Sequence, residues 1–193
     1  EVYTLEGLVE DFSLEKVSSA SAQFDYERLK WFNHRHLQEK SGADLMTLLV
    51  EAGYSLEGFP EEKTQKTLEL VKERANTLVS LWSACSYFFK APETYDEGSR
   101  KRVVKENTKA ILLALVKALE KADDFDSEPA KSFLERFFED LCKKSGAMKM
   151  RDIMLPLRLS LVGSLSGVEM GTIMSELGKE KVISRIRAFV KTC

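Results

Sequence analysis

Apolar residues return every three or four positions along almost the whole of this 193-residue chain, and little interrupts them. Only 10 Gly and 4 Pro are present, too few to supply the turns of an all-β fold or the composition of a disordered one. No alternating run suggests a strand, so the expected fold is all-α. Leu5, Leu8, Val9 and Phe12 mark a first amphipathic helix; Tyr26, Leu29, Phe32 and Leu37 mark a second. Leu45, Leu48 and Leu49 form a third, stopped by Gly53. Phe59-Pro60-Glu61-Glu62 starts a helix expected to carry Leu70, Val71, Leu78, Leu81, Trp82 and Cys85 on one stripe. After a turn at residues 91–94, one long helix is expected through Val103, Val104, Ile111, Leu115, Val116 and Leu119. Asp126-Ser127-Glu128-Pro129 reads as the cap of the next, with Phe133, Leu134, Phe137, Phe138 and Leu141 as core and Gly146 as its end. Pro156 is expected to open the following helix, Gly178 to end a short one from Met170, and Val182, Ile183, Ile186 and Phe189 to line the last.

Charge narrows the function. The net charge is only -2, but residues 1–60 hold 5 Lys/Arg against 11 Asp/Glu, whereas residues 141–193 hold 10 against 4. A basic end offers the counterion-releasing contacts that a phosphate backbone favours. The acidic first third supports a rival reading, a helical protein–protein adaptor. No run approaches the roughly 18 apolar residues of a membrane span, and no apolar leader opens the chain. Cys85, Cys142 and Cys193 are odd in number and far apart, which suggests neither a disulfide framework nor a metal site and points to a reducing cytoplasm. His34 and His36 project away from each other on a helix, so no metal is expected there. Trp31 and Trp82 read as core. No Gly-rich phosphate cradle and no Ser-His-Asp or Cys-His set is present, so no catalytic residue is assigned.

Two arginines stand apart. Arg158 lies among Met154, Leu155, Leu157, Leu159, Leu161 and Val162, with no carboxylate three or four residues away, so its guanidinium needs a partner from outside its own helix. Arg74 falls on the expected stripe between Leu70, Val71, Thr77 and Leu78, again with no local acid. The plainer readings are a boundary Arg74 whose aliphatic stem covers apolar surface, and an Arg158 bonded to carbonyls at a helix end. Lys179, Lys181, Arg185 and Arg187 read most simply as a solvated basic face.

Three blocks, in order, carry a resemblance. They are Phe12-Ser13-Leu14-Glu15-Lys16-Val17 with Phe24-Asp25 and Trp31-Phe32-Asn33; Arg74-Ala75-Asn76-Thr77-Leu78; and Pro156-Leu157-Arg158 with Gly163, Leu177-Gly178-Lys179-Glu180 and Arg185-Ile186. Together they resemble the C-terminal, anticodon-binding region of bacterial glutamyl-tRNA synthetases. The resemblance implies the end of a stem-contact domain over residues 1–38 and helical anticodon-binding subdomains over 39–95 and 96–193. It makes Arg74 the residue that reads the third anticodon base (C in glutamate tRNA, G in glutamine tRNA), and Arg158 a second anticodon contact. Lys149, Arg151 and Lys179 become candidate contacts to the tRNA backbone. Residues 166–171 depart from the family pattern: Gly171 stands where an aromatic could stack on a base, and Glu169 would repel phosphate. The implied partner is tRNA(Glu), bound by a cytoplasmic monomer. The family's His-x-Gly-His and Lys-x-Ser-Lys signatures are missing, so the chain reads as a fragment, with ATP and Mg²⁺ used in a catalytic domain elsewhere in the parent.

Overall fold

The computed structural model describes residues 2–21, 23–56, 58–122, 130–145 and 149–193. Among these the regular elements are helices, with no strand: α1 (Leu5–Asp11), α2 (Tyr26–Glu39), α3 (Gly42–Glu51), α4 (Glu61–Val71), α5 (Leu78–Phe89), α6 (Glu97–Val103), α7 (Thr108–Lys121), α8 (Ala130–Ser145), α9 (Arg151–Val162), α10 (Met170–Leu177) and α11 (Lys179–Val190). Single 3₁₀ turns occupy Leu14–Lys16 and Lys72–Arg74. The all-α expectation is met. The expected cap at 126–129 and the stop at Gly146 lie outside the described residues. None of the described helices is long and apolar enough to cross a membrane.

The chain forms two compact units, Glu1–Trp82 and Ser83–Cys193, the division falling within α5. In the first, α3 packs on α4, and Leu45, Leu49, Leu68 and Val71 are fully buried. Ser41 and Asp44 start α3 with a reciprocal capping box. In the second, α7 packs on both α9 and α11. Leu112, Leu115 and Leu119 meet a core that includes Ile153, Leu157, Leu161, Ile186 and Phe189, each almost or wholly withdrawn from water. Each such side chain contributes roughly 1.5–3 kcal/mol.

Several expected boundaries are wrong, for local reasons. The helix from Pro60 does not run to Cys85; it ends at Val71, and α5 begins afresh at Leu78. The Ser80 hydroxyl accepts from the Asn76 and Thr77 N–H groups, and the Thr77 hydroxyl accepts from the Ser80 N–H at 3.1 Å. These bonds satisfy donors that a helix start leaves orphaned. The expected long helix through 103–119 is likewise two: α6 ends at Val103, and the buried Thr108 hydroxyl at the start of α7 accepts from the Lys105 N–H at 2.9 Å, closing the turn between them. Pro156 lies inside α9 rather than opening it, at the cost of one backbone bond. The helix starts at Arg151, where the Asp152 carboxylate accepts from the Lys149 N–H at 3.2 Å. α1 has no buried residue, and Trp31, expected in the core, is 50% exposed. Trp82 is half-buried and stacks on Tyr54, ring centroids 5.0 Å apart.

Candidate nucleic-acid interface

Arg74 does not lie on an apolar stripe, because no continuous helix carries one there. It sits in the 3₁₀ turn between α4 and α5, its side chain exposed, while Val71 and Ala75 on either side are fully buried. A break between two helices leaves carbonyls without helical partners, and α2 supplies donors to them. Gln38 Nε2 donates to the Lys72 carbonyl at 2.7 Å, a His34 ring nitrogen to the Ala75 carbonyl at 2.7 Å, and Asn33 Nδ2 to the Asn76 carbonyl. The Lys72 ammonium returns a bond to the Lys40 carbonyl at 3.0 Å. The turn is therefore built, and it presents Arg74 from a fixed backbone. Sequence reasoning missed the roles of Asn33, His34 and Gln38, because a bond across 34 to 43 residues leaves no local pattern.

Arg158 finds its partner outside its own helix, as its apolar neighbours required. The half-buried guanidinium donates through Nη1 to the Val168 carbonyl at 2.7 Å. The Val168 N–H donates to the Tyr87 hydroxyl at 3.4 Å. One residue of the loop after α9 is thus held through both its N–H and its carbonyl, by the second half of α5 and by α9. Two glycines allow close approaches here, Gly167 at this contact and Gly163 where α9 ends against residues 92–94. Gly163, the residue that ends the Pro-Leu-Arg block, has φ +85°, and a Cβ there would stand 2.9 Å from the Thr94 carbonyl. Gly167 has φ +127°, and its Cβ would stand 3.2 Å from both Arg158 Nη1 and the Tyr87 hydroxyl. Gly167→Ala therefore has to displace the guanidinium or the ring and is expected to cost about 1–3 kcal/mol in a urea melt. Gly171→Ala, whose Cβ would meet nothing closer than Lys131 at 3.4 Å, is expected to leave stability unchanged or raise it slightly.

The basic end divides by role. Lys149 and Arg151 are exposed at the start of α9. Asp152, the residue after Arg151, accepts a bond from the Lys105 ammonium at 2.6 Å, and that bond holds its carboxyl below the usual carboxylate range. Lys179 is not a plain surface charge: its ammonium donates to the Ala122 carbonyl at the end of α7, at 2.7 Å. Arg185, read from the sequence as part of a solvated face, is instead 5% exposed. Its Nη1 donates to the Tyr87 carbonyl at 2.6 Å and the Leu161 carbonyl at 2.8 Å, in the last turns of α5 and α9. Burial lowers its pKa to about 10, so it stays charged at neutral pH. Arg187 pairs with Glu120.

Sequence reasoning also passed over Arg100-Lys101-Arg102 and Lys105, a basic run in which residues 100–109 contain a single acid, Glu106. The signal was visible, but summing charge over whole thirds of the chain dilutes it. Among the described residues no three His, Cys, Asp or Glu side chains gather as a metal site. Burial pushes the Cys85 thiol up to about 12, which leaves it a poor nucleophile.

The family model described as the anticodon binding domain matches residues 26–190. The chain is similar to the glutamate–tRNA ligase of Flavobacterium johnsoniae, 38% identical over 97% of this chain and 36% of the relative. It is also similar to that of Phocaeicola vulgatus, 36% identical over 99% and 37%. Among solved structures, a glutamate tRNA ligase from Elizabethkingia meningosepticum in complex with its amino acid superposes with a TM-score of 0.73 at 32% identity, over 98% of this chain and 37% of that one. The chain spans little more than a third of the length of the relatives it matches.

Proposed function

We propose that this chain, which belongs to the anticodon binding domain family, recognises the anticodon loop of tRNA(Glu) as the C-terminal part of a glutamate–tRNA ligase, the enzyme that attaches glutamate to tRNA using ATP. The observation that carries this reading is the family match over residues 26–190, at the same place where a built turn presents an exposed Arg74. Loop bases are accessible to a protein because they are unpaired and can be splayed out. Arg74 donates only, so it suits the adjacent acceptors on the pairing edge of C and not the donor-bearing edge of G. Arg158 acts on this reading through its grip on Val168, which sets the loop of residues 164–169, as well as by any donor it turns toward the RNA. Lys149 and Arg151 contribute charge at the phosphate backbone.

The ATP- and Mg²⁺-dependent step belongs to the part of the ligase that this chain does not span, and no residue here is assigned to it. The working form is a cytoplasmic monomer, with stem contact ending near residue 38 and the two anticodon-binding subdomains meeting near residue 95. Filter binding of bulk tRNA at two salt concentrations tests the reading. The expected result is binding whose constant falls steeply with salt. Absence of binding at low salt would return the chain to the adaptor class.

A further inference from the structure

A groove of about 380 Å³ runs between α6 and α9 in the second unit, and its lining is unusual for a protein of net charge -2. Arg102 comes from α6, Lys105 from the break before α7, and Arg151 from the first turn of α9. Val103, Leu155 and Pro156 form the apolar part of its wall. The groove also holds a carboxylate, Asp152, whose bond to Lys105 at 2.6 Å fixes that ammonium at the rim. Arg100 and Lys101 stand on the same short helix, Arg100 reaching the Thr192 carbonyl.

We infer that this α6–α9 groove is a docking track for the RNA phosphodiester backbone, with Arg102, Lys105 and Arg151 as the cations that meet successive phosphates. The inference rests on the tRNA reading and extends it to residues on a second helix. Three cations drawn from two chain segments, residues 102–105 and 151, onto one concave, partly apolar wall differ from scattered surface lysines. Low-dielectric walls focus the field of like charges and raise the local concentration of a polyanion. The break at 104–107, which ends α6 early, is what brings Lys105 to face α9 rather than continuing along a helix. Contacts to phosphates rather than base edges carry no sequence information, so the track grips RNA independently of sequence.

The test uses the whole chain and titrates it with fluorescent tRNA at several salt concentrations. The variants are Arg102→Gln/Lys105→Gln/Arg151→Gln and, keeping the Lys105–Asp152 pair, Arg102→Gln/Arg151→Gln. A matched control, Lys30→Gln/Lys66→Gln/Lys143→Gln, removes three cations that pair with Glu27, Glu62 and Asp140 elsewhere on the surface. The expected result is a salt slope shallower by about 0.7–0.9 for each lost phosphate contact, and affinity at low salt reduced about tenfold or more in the triple variant. The loss is equal for tRNAs with glutamate and glutamine anticodons. The double variant gives a smaller loss with an unchanged thermal melt, which separates the effect from misfolding. If groove and control variants lose the same affinity, the groove is no track although the tRNA reading stands. If the wild-type chain does not bind tRNA at low salt, the tRNA reading itself fails and takes the groove with it.

Discussion

Arg185→Met lowers the stability of the chain by about 3 kcal/mol, because the carbonyls of Tyr87 and Leu161 then lose their buried donors. Each unsatisfied carbonyl costs about 1–3 kcal/mol, partly offset by removing a charge that is itself expensive to bury. For a chain of this size the melting temperature should fall by roughly 10 °C. Arg185→Lys keeps the charge but not the two-pronged geometry and should fall between. The deficit carries no pH dependence between about 5 and 9. The folded pKa is lowered to about 10, so below it the group is charged in both folded and unfolded states and its burial cost is constant. The measurement is a thermal melt followed by circular dichroism at two pH values. A shift under about 2 °C would mean that water replaces the guanidinium and that Arg185 does not hold the ends of α5 and α9.

Arg74→Gln has the second large effect, on specificity and not on folding. The turn is held by bonds from Asn33, His34 and Gln38 to backbone carbonyls, none of which involves the Arg74 side chain. The helices on either side are expected to survive the change, since Gln is a good helix former. A well-placed bidentate contact discriminates between bases by about 1–3 kcal/mol, roughly 10- to 100-fold. Gln offers a donor and an acceptor together, and so tolerates the edge of G. In a ligase carrying this chain, the ratio of kcat/KM for glutamate over glutamine tRNA should drop by about that factor. An unchanged ratio would assign Arg74 to the structure of the turn and place discrimination elsewhere.

What the sequence disclosed, and what it did not, follows from the range of the interactions. Helical periodicity is local, so the all-α architecture and most core positions could be read directly. Arg158's need for an outside partner was also legible, since its apolar neighbours are on its own helix. Boundaries failed where hydroxyls take up backbone N–H groups at a break within an apolar run, at Thr77–Ser80 and at Thr108. A capping side chain and a surface one look alike until the break is seen. Arg185 misled for a related reason: Val182, Ile183, Ile186 and Phe189 mark the apolar face of α11, and its charge suggested the other one. The two carbonyls that take it inside lie 98 and 24 residues away. The same distance hides the support of Arg74 from α2. Long-range pins of this kind hold the candidate site together, and no window of sequence contains them.

The central claim is that this chain reads an anticodon. Its most direct test uses the wild-type chain and two tRNAs identical except for C or G at the third anticodon position, titrated by fluorescence anisotropy at one salt concentration. The C-bearing tRNA is expected to bind at least about tenfold more tightly, with both affinities falling together as salt rises. Equal affinity for the two would contradict it, leaving a chain that grips RNA by charge alone.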